Sequence, residues 1–189
     1  MGENGSQIAA WATLGISFLI RPLGAIIAGH LGDRFGRKFV LSLTLIGMGL
    51  ATTLIGLLPT YAQAGIWAPA LLAILRFCQG LGLGGEWSGA ALLATEYAKD
   101  GKRAQAAMWP QLGAPFGFFL ANGLFLILVT VLGHTSGDFE GAFMRWGWRV
   151  PFLVSAVLLV ISVYLRTKLS ESPTFQAMKH EGKLSQAPI

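Results

Sequence analysis

Gly29-His30-Leu31-Gly32-Asp33-Arg34-Phe35-Gly36-Arg37-Lys38 decides the fold. Three basic residues and one acid stand together in a chain of 189 residues that is otherwise 53% hydrophobic and 12% charged, with a mean hydropathy of +0.59. Long apolar runs flank the stretch on both sides. A soluble domain carries about 25% charged residues, so a chain with half that content and apolar runs near membrane-crossing length is expected to live in a bilayer. Glycine accepts backbone angles closed to other residues, and the glycines here predict a tight, charged turn between two spans.

Working outward, five all-α membrane spans are predicted at about 8–28, 39–58, 70–95, 104–132 and 150–165. The second, from Phe39 to Leu58, is twenty residues without a charge, about 30 Å of helix and one hydrocarbon thickness. Pro59 and Pro69 bound an uncharged link whose Tyr61 and Trp67 suit a water–lipid interface. Lys and Arg are distributed unevenly among the links. Arg34, Arg37, Lys38, Lys99, Lys102, Arg103, Arg166, Lys168, Lys179 and Lys183 fall on one side, against Arg145 and Arg149 on the other. The positive-inside rule places the first set in the cytoplasm with the C-terminus. The N-terminus is then outside, which suggests a span before Met1.

The net charge of +5 sits in short links with no polar domain to present it, which argues against nucleic acid as a partner. The single Cys78 cannot form an internal disulfide, and inside an apolar span it is expected to pack. No histidine is grouped with Cys or carboxylates at metal-ligand spacing, and no serine stands in a nucleophile elbow. No catalytic residue, metal or cofactor is therefore assigned. Met1 to Ser6 fits permissive patterns for myristoylation and glycosylation, which imply opposite sides of a membrane. Gly80, Gly82 and Gly85 spell G-x-G-x-x-G, but within a membrane span that pattern lacks the βαβ setting a dinucleotide site requires.

Charge inside the bilayer costs about 2.5–3.5 kcal/mol on insertion scales and needs a partner or a wet cavity. Arg21, Arg76 and Glu86 are such residues, each read either as a polar contact between helices or as part of a substrate or proton pathway. At 100° per residue Arg76, Gln79 and Glu86 fall within an arc of about 80°, and Arg76 and Glu86 are about 15 Å apart along the axis. They cannot pair with each other, so each must meet water, substrate or another helix. Gly80 and Gly84 make a small-residue ridge for close helix packing. In the fourth span Pro115, between Gly113 and Gly117, reads as a flexing point or as a static kink. Asn122 is a further polar candidate.

Taken in order, these segments resemble the major facilitator superfamily, and within it the bacterial metabolite:proton symporters. The likeness is carried by Arg21-Pro22-Leu23-Gly24, the pattern G-x-x-x-D-R-x-G-R-K from Gly29 to Lys38, Arg76 to Trp87, Trp109 to Gly117, and Trp146 to Phe152. It implies that the spans are helices two to six of twelve. Residues 1–175 are then a partial N-terminal six-helix bundle, and 176–189 begin a central cytoplasmic loop. Helix one and the C-terminal half would be missing partners. The implied function is proton-coupled symport of a small organic acid or zwitterion by alternating access in the bacterial inner membrane. The resemblance further implies a cytoplasmic latch of Gly29, Gly32, Asp33, Arg34, Gly36, Arg37 and Lys38. Asp33 would hydrogen-bond Arg37, and Glu96 and Arg103 would join the network. Arg76 would take part in proton transfer, and Arg21 or Arg76 would attract a substrate carboxylate. The alternatives are a non-transporting remnant or half-transporter subunit, and a sugar carrier of the same superfamily.

Overall fold

The computed structural model describes residues 3–99, 101–133 and 141–168. They form α1 (Glu3–Leu19), α2 (Arg21–Phe35), α3 (Arg37–Leu57), α4 (Tyr61–Ala64), α5 (Trp67–Glu96), α6 (Arg103–Leu132), α7 (Ala142–Arg145), a 3₁₀ turn (Gly147–Arg149) and α8 (Val150–Thr167). Among the described residues, five segments are long and apolar enough to cross a membrane: Ala10–Phe35, Arg37–Leu57, Trp67–Glu96, Arg103–Leu132 and Gly147–Thr167. The first joins α1 and α2. Pro22 opens α2 at a position where its missing N–H interrupts the hydrogen-bond ladder, while Gly24 N–H still reaches the Ile20 carbonyl at 3.0 Å and carries the rod across the break.

The charged decapeptide is not the loop that its composition suggests. Helix α2 runs on to Phe35, so Gly29 and Gly32 are helical and the whole bend falls on Gly36, at φ 99° and ψ 148°. A side chain is strained there, and α3 starts at the next residue. Likewise the link after α3 is partly helical. Thr60 and Gln63 close a capping box around α4, with Thr60 N–H donating to Gln63 Oε1 at 3.1 Å.

Helix α5 is the centre of the bundle. Helices α1 and α2 pack on one side of it, α3 on another and α6 on a third, while α8 packs behind α3. The small residues explain how five apolar rods hold together where lipid removes the hydrophobic drive between helices. A methyl added at Gly24 would lie 2.8 Å from the Leu81 Cα, and one at Gly84 would lie 3.0 Å from the Ala25 nitrogen. Backbone thus meets backbone along the α2–α5 seam. Helix α6 is the opposite case: no residue of it is buried, and large side chains such as Phe116, Phe119 and Leu120 face outward. It runs unbroken through Pro110 and Pro115, and Gly113 and Gly117 have open space around them. Cys78 is exposed on α5 rather than packed.

The helix ends gather in two sets. At one end Arg37 pairs with Glu96, and Lys38 Nζ donates to the Thr167 carbonyl at 3.3 Å. At the other, Arg149 donates to the Leu58 carbonyl at 3.0 Å and the Arg145 carbonyl at 3.2 Å, with its guanidinium 4.7 Å from the centre of the Trp148 ring. Arg149 thereby ties the start of α8 to the negative end of α3. Removing a charged donor from such a carbonyl costs about 1.5–3 kcal/mol. Arg149→Ala is expected to lose that much in a reversible unfolding titration in mixed micelles. Arg149→Lys is expected to recover only part of it, because one ammonium cannot reproduce the fork.

Candidate functional site

The polar stripe of α5 faces α3. Arg76 Nη1 donates to Gln79 Oε1 at 3.2 Å, Gln79 Nε2 donates to Thr52 Oγ1 at 2.7 Å, and Thr52 passes its own proton to the Met48 carbonyl at 2.8 Å. Ser17, buried in α1, donates to the Arg76 carbonyl at 2.8 Å. These bonds lock the upper part of the stripe to two neighbouring helices. Lower down, Glu86 forms an ion pair with Arg166 at the end of α8 and accepts from Thr44 Oγ1 at 3.1 Å. The carboxylate and guanidinium side chains are only 16% and 20% exposed. Arg76 and Glu86 do not meet, as the helical rise requires. The partner of Glu86 is a residue that loop counting had assigned to the membrane surface. Helix α5 ends at Glu96, about 15 Å beyond Glu86, so charges from that end of the bundle can reach it.

The latch residues are arranged differently from the expected pairing. Arg37 pairs with Glu96 of α5, not with Asp33. Four residues' spacing makes neighbours only within one helix, and the Gly36 bend puts Asp33 and Arg37 on different helices. Asp33 makes no hydrogen bond or ion pair among the described residues. It lines a cleft of about 270 Å³ with Gly29, Gly32, Arg37, Gly85 and Ser88. Arg34 lies 5.4 Å from the centre of the Phe35 ring, and Arg103 opens α6 at the same end.

A second cleft, of about 510 Å³, opens between the α1–α2 rod, α5 and α6. Arg21, Phe18, Trp87, Ser88 and Gln111 contribute its aromatic and polar lining. The Arg21 guanidinium stacks 4.0 Å from the centre of the Phe18 ring, and Trp87 Nε1 donates to Gln111 Oε1 at 3.0 Å across the α5–α6 seam. Asn122 is not part of either cleft. It is exposed and returns its amide to the Phe118 carbonyl at 2.8 Å.

Ser17, Thr44, Thr52 and Arg166 are the members that sequence reading misses. Thr44 and Thr52 carry a faint signal, because their spacing of eight puts them on one side of an apolar helix. Arg166 carries none, since nothing in the sequence says that α8 lies against α3 and within reach of α5.

A bundle of membrane-crossing helices, with charges and a lined cleft inside and ion pairs clustered at one end, is the frame of a polytopic transport protein. The chain belongs to the family of sugar (and other) transporters, whose pattern it matches over residues 2–187, within the major facilitator superfamily. It is 54% identical over 184 residues to the inner membrane metabolite transport protein YhjE of Escherichia coli K12, covering 97% of this chain and 40% of that one. It is 46% identical over 173 residues to the shikimate transporter of the same strain, covering 92% and 38%. Over 180 residues it is 43% identical to the proline/betaine transporter of Salmonella typhimurium LT2, covering 95% and 34%. These relatives are the metabolite carriers that the sequence motifs point to. The chain spans about 40% of the length of the curated relatives it matches. Among solved structures, that of the proton:xylose symporter XylE superposes with a TM-score of 0.78 at 17% identity, over 97% of this chain and 39% of that one. At that identity the likeness is one of fold.

Proposed function

We propose that these residues serve, with further helices, as the N-terminal side of a carrier that moves a small organic acid or zwitterion with protons across the bacterial inner membrane. In such carriers two bundles rock about a site near mid-membrane. The observation that carries this reading is the α5 stripe: Arg76, Gln79 and Glu86 on one face of a membrane-crossing helix. Such groups are expensive to keep in lipid and mark pathways. The named relatives support the substrate class, because shikimate, proline and betaine all carry a carboxylate. The excess of Lys and Arg at the end that holds Arg37, Glu96 and Arg166 supports a cytoplasmic position for it.

The alternative reading is a half-transporter or remnant without activity of its own. A chimera separates the two. The 184-residue matching segment of the Escherichia coli metabolite transport protein is replaced by this one. Uptake of labelled shikimate, glycine betaine and xylose into vesicles is then measured under an imposed inward proton gradient. Uptake of one of the carboxylates, abolished by an uncoupler, is the expected result. Uptake of xylose alone would transfer the reading to a sugar carrier. A chimera that reaches the membrane and moves none of them would leave the remnant.

In the transporting chimera, Asp33→Asn is expected to lower uptake about tenfold with little change in the amount of protein in the membrane. The unpaired Asp33 carboxylate suits a helix N-terminus of the opposite bundle, a contact made in only one state of the rocking cycle. Uptake unaltered by this substitution would remove the latch.

A further inference from the structure

Arg76 is held at two points by two different helices. Its backbone is tied to α1, where the buried Ser17 hydroxyl donates to the Arg76 carbonyl at 2.8 Å. Its head is tied to α3 through an intermediary. Arg76 Nη1 donates to Gln79 Oε1 at 3.2 Å, Gln79 Nε2 donates to Thr52 Oγ1 at 2.7 Å, and Thr52 Oγ1 donates to the Met48 carbonyl at 2.8 Å. These bonds can run in one direction only. A guanidinium has donors and no acceptor, so the Gln79 amide must turn its oxygen to Arg76 and its nitrogen to α3. The hydroxyl it meets there must accept, and it is free to do so because its single proton goes to a carbonyl one turn back in its own helix. Among the described residues Gln79 is the one side-chain hydrogen-bond partner of Arg76, and Arg76 Nε is buried without a partner. No other side-chain hydrogen bond there sets the direction of the guanidinium. The seam that carries the link is tight. A methyl added at Gly82 would lie 3.1 Å from the Met48 Cβ and 3.5 Å from the Met48 nitrogen, so the turn of α3 that anchors Thr52 lies directly against α5.

We propose that Thr52 is a positioning residue for transport: through Gln79 it sets the direction in which Arg76 presents its guanidinium. The role rests on the carrier reading above, which puts the α5 stripe on the pathway, and it adds a residue of another helix to that stripe. The amide at the end of a glutamine side chain turns about a broad, two-fold torsion. With no acceptor on α3, the Gln79 nitrogen is no longer drawn that way. A flipped amide would set donors against the guanidinium and release it. Arg76 is half-buried, so a released head has room to swing. Valine fills nearly the same volume as threonine but neither accepts nor donates a hydrogen bond. Serine keeps the hydroxyl and loses one methyl. The two substitutions therefore separate the bond from the bulk.

The test has two arms. In the first, the full chain is prepared in lipid nanodiscs with isotope-labelled arginine, and the Arg76 Nη signal in the magnetic resonance spectrum is assigned by its loss in Arg76→Lys. Thr52→Val is expected to shift that signal and to speed its hydrogen exchange about tenfold, as loss of a bonded arrangement does. Thr52→Ser is expected to stay within about twofold of the parent. In a Gln79→Ala background Thr52→Val should change nothing further, because the link is already cut. Thr52→Ala removes the hydroxyl in a second way if the valine variant folds poorly. In the second arm, the transporting chimera carries the same substitutions. Misplacing a working group by about 1 Å costs up to about a hundredfold in rate, so Thr52→Val is expected to lower maximal uptake per carrier molecule about tenfold with KM within about twofold. Thr52→Ser is expected to restore most of the loss. An unshifted Arg76 signal in Thr52→Val, a shift just as large without Gln79, uptake that Thr52→Val leaves unaltered, or a loss that Thr52→Ser fails to restore would each overturn the positioning role. A chimera that transports nothing before any substitution removes the carrier reading instead, and the nanodisc signal alone then decides whether Thr52 orients Arg76.

Discussion

Arg166→Gln is expected to lower the stability of the folded bundle by about 3 kcal/mol, and Glu86→Gln by nearly as much. Replacing both together should cost far less than the sum. Glu86 and Arg166 are joined in an ion pair that is mostly shielded from solvent. Breaking a buried pair from one side strands the remaining charge, which costs about 3–5 kcal/mol, while replacing both members is often close to neutral. The bilayer setting acts in the same direction, since an unpaired charge there carries its own penalty. Thr44, whose hydroxyl donates to Glu86 at 3.1 Å, cannot stand in for a guanidinium, and Thr44→Ala is expected to cost only about 1 kcal/mol. A double-mutant cycle in nanodiscs, read by reversible unfolding, measures the coupling directly. Additive single effects would mean that the pair contributes nothing.

The same variants separate a clasp from a proton site. Where the doubly neutral protein folds, the transporting chimera that carries it can be assayed against pH. Uptake that still follows the proton gradient would confine Glu86 to holding α5 against α8. Uptake that no longer responds to the gradient would put Glu86 on the proton route. Glu86 and Arg166 are separated by 80 positions in the chain.

That separation also marks the limit of what the sequence could reveal. Membrane spans were readable because their signal is local: twenty apolar residues, flanking charge, an interfacial tryptophan. The gathering of helix ends was readable from the imbalance of Lys and Arg among the links, which is additive along the chain. Pairing was not. Periodicity placed Arg76, Gln79 and Glu86 on one face of α5 and showed that Arg76 and Glu86 cannot pair, but the side-chain partner of Arg76 is Gln79 on the same helix rather than water, substrate or another helix. Periodicity held no information about which helix that face would meet. The charged decapeptide shows a different limit. Gly29, Gly32 and Gly36 look alike in sequence, yet only Gly36 takes a positive φ, while Gly29 and Gly32 continue the helix. A one-residue bend then cancels the four-residue neighbour rule for Asp33 and Arg37, and Arg37 turns to Glu96 instead. Cys78 shows a third limit, because depth in an apolar span does not say whether a residue faces a neighbour or lipid.

Gly24→Ala is expected to be among the most damaging single-methyl additions in the chain, at about 3 kcal/mol or more, whereas Gly113→Ala should be neutral or stabilising by up to about 1 kcal/mol. Both glycines are helical and both lie in membrane spans. They differ in what the new carbon would meet. At Gly24 it would stand 2.8 Å from the Leu81 Cα and 2.9 Å from the Leu81 carbonyl carbon, while at Gly113 nothing lies within 4 Å. A flexible side chain could move aside, but α5 backbone cannot yield without shifting the helix. Such a shift would drag Gly80 and Gly84 away from α1 and α2, so the cost belongs at or above the usual 1–3 kcal/mol of overpacking. At Gly113 only the intrinsic preference of a helix for alanine remains, about 1 kcal/mol in favour of the substitution. Parallel unfolding titrations of the two variants in the same lipid check the stability claim. A Gly24→Ala protein as stable as the parent would show that the α2–α5 seam is not closed by backbone contact. Transport by the corresponding Gly113→Ala chimera tests the other half. Hinge glycines lose function while gaining rigidity, so normal stability with lowered uptake would make Gly113–Pro115 a flexing point of α6, and unaltered uptake would make it a static bend.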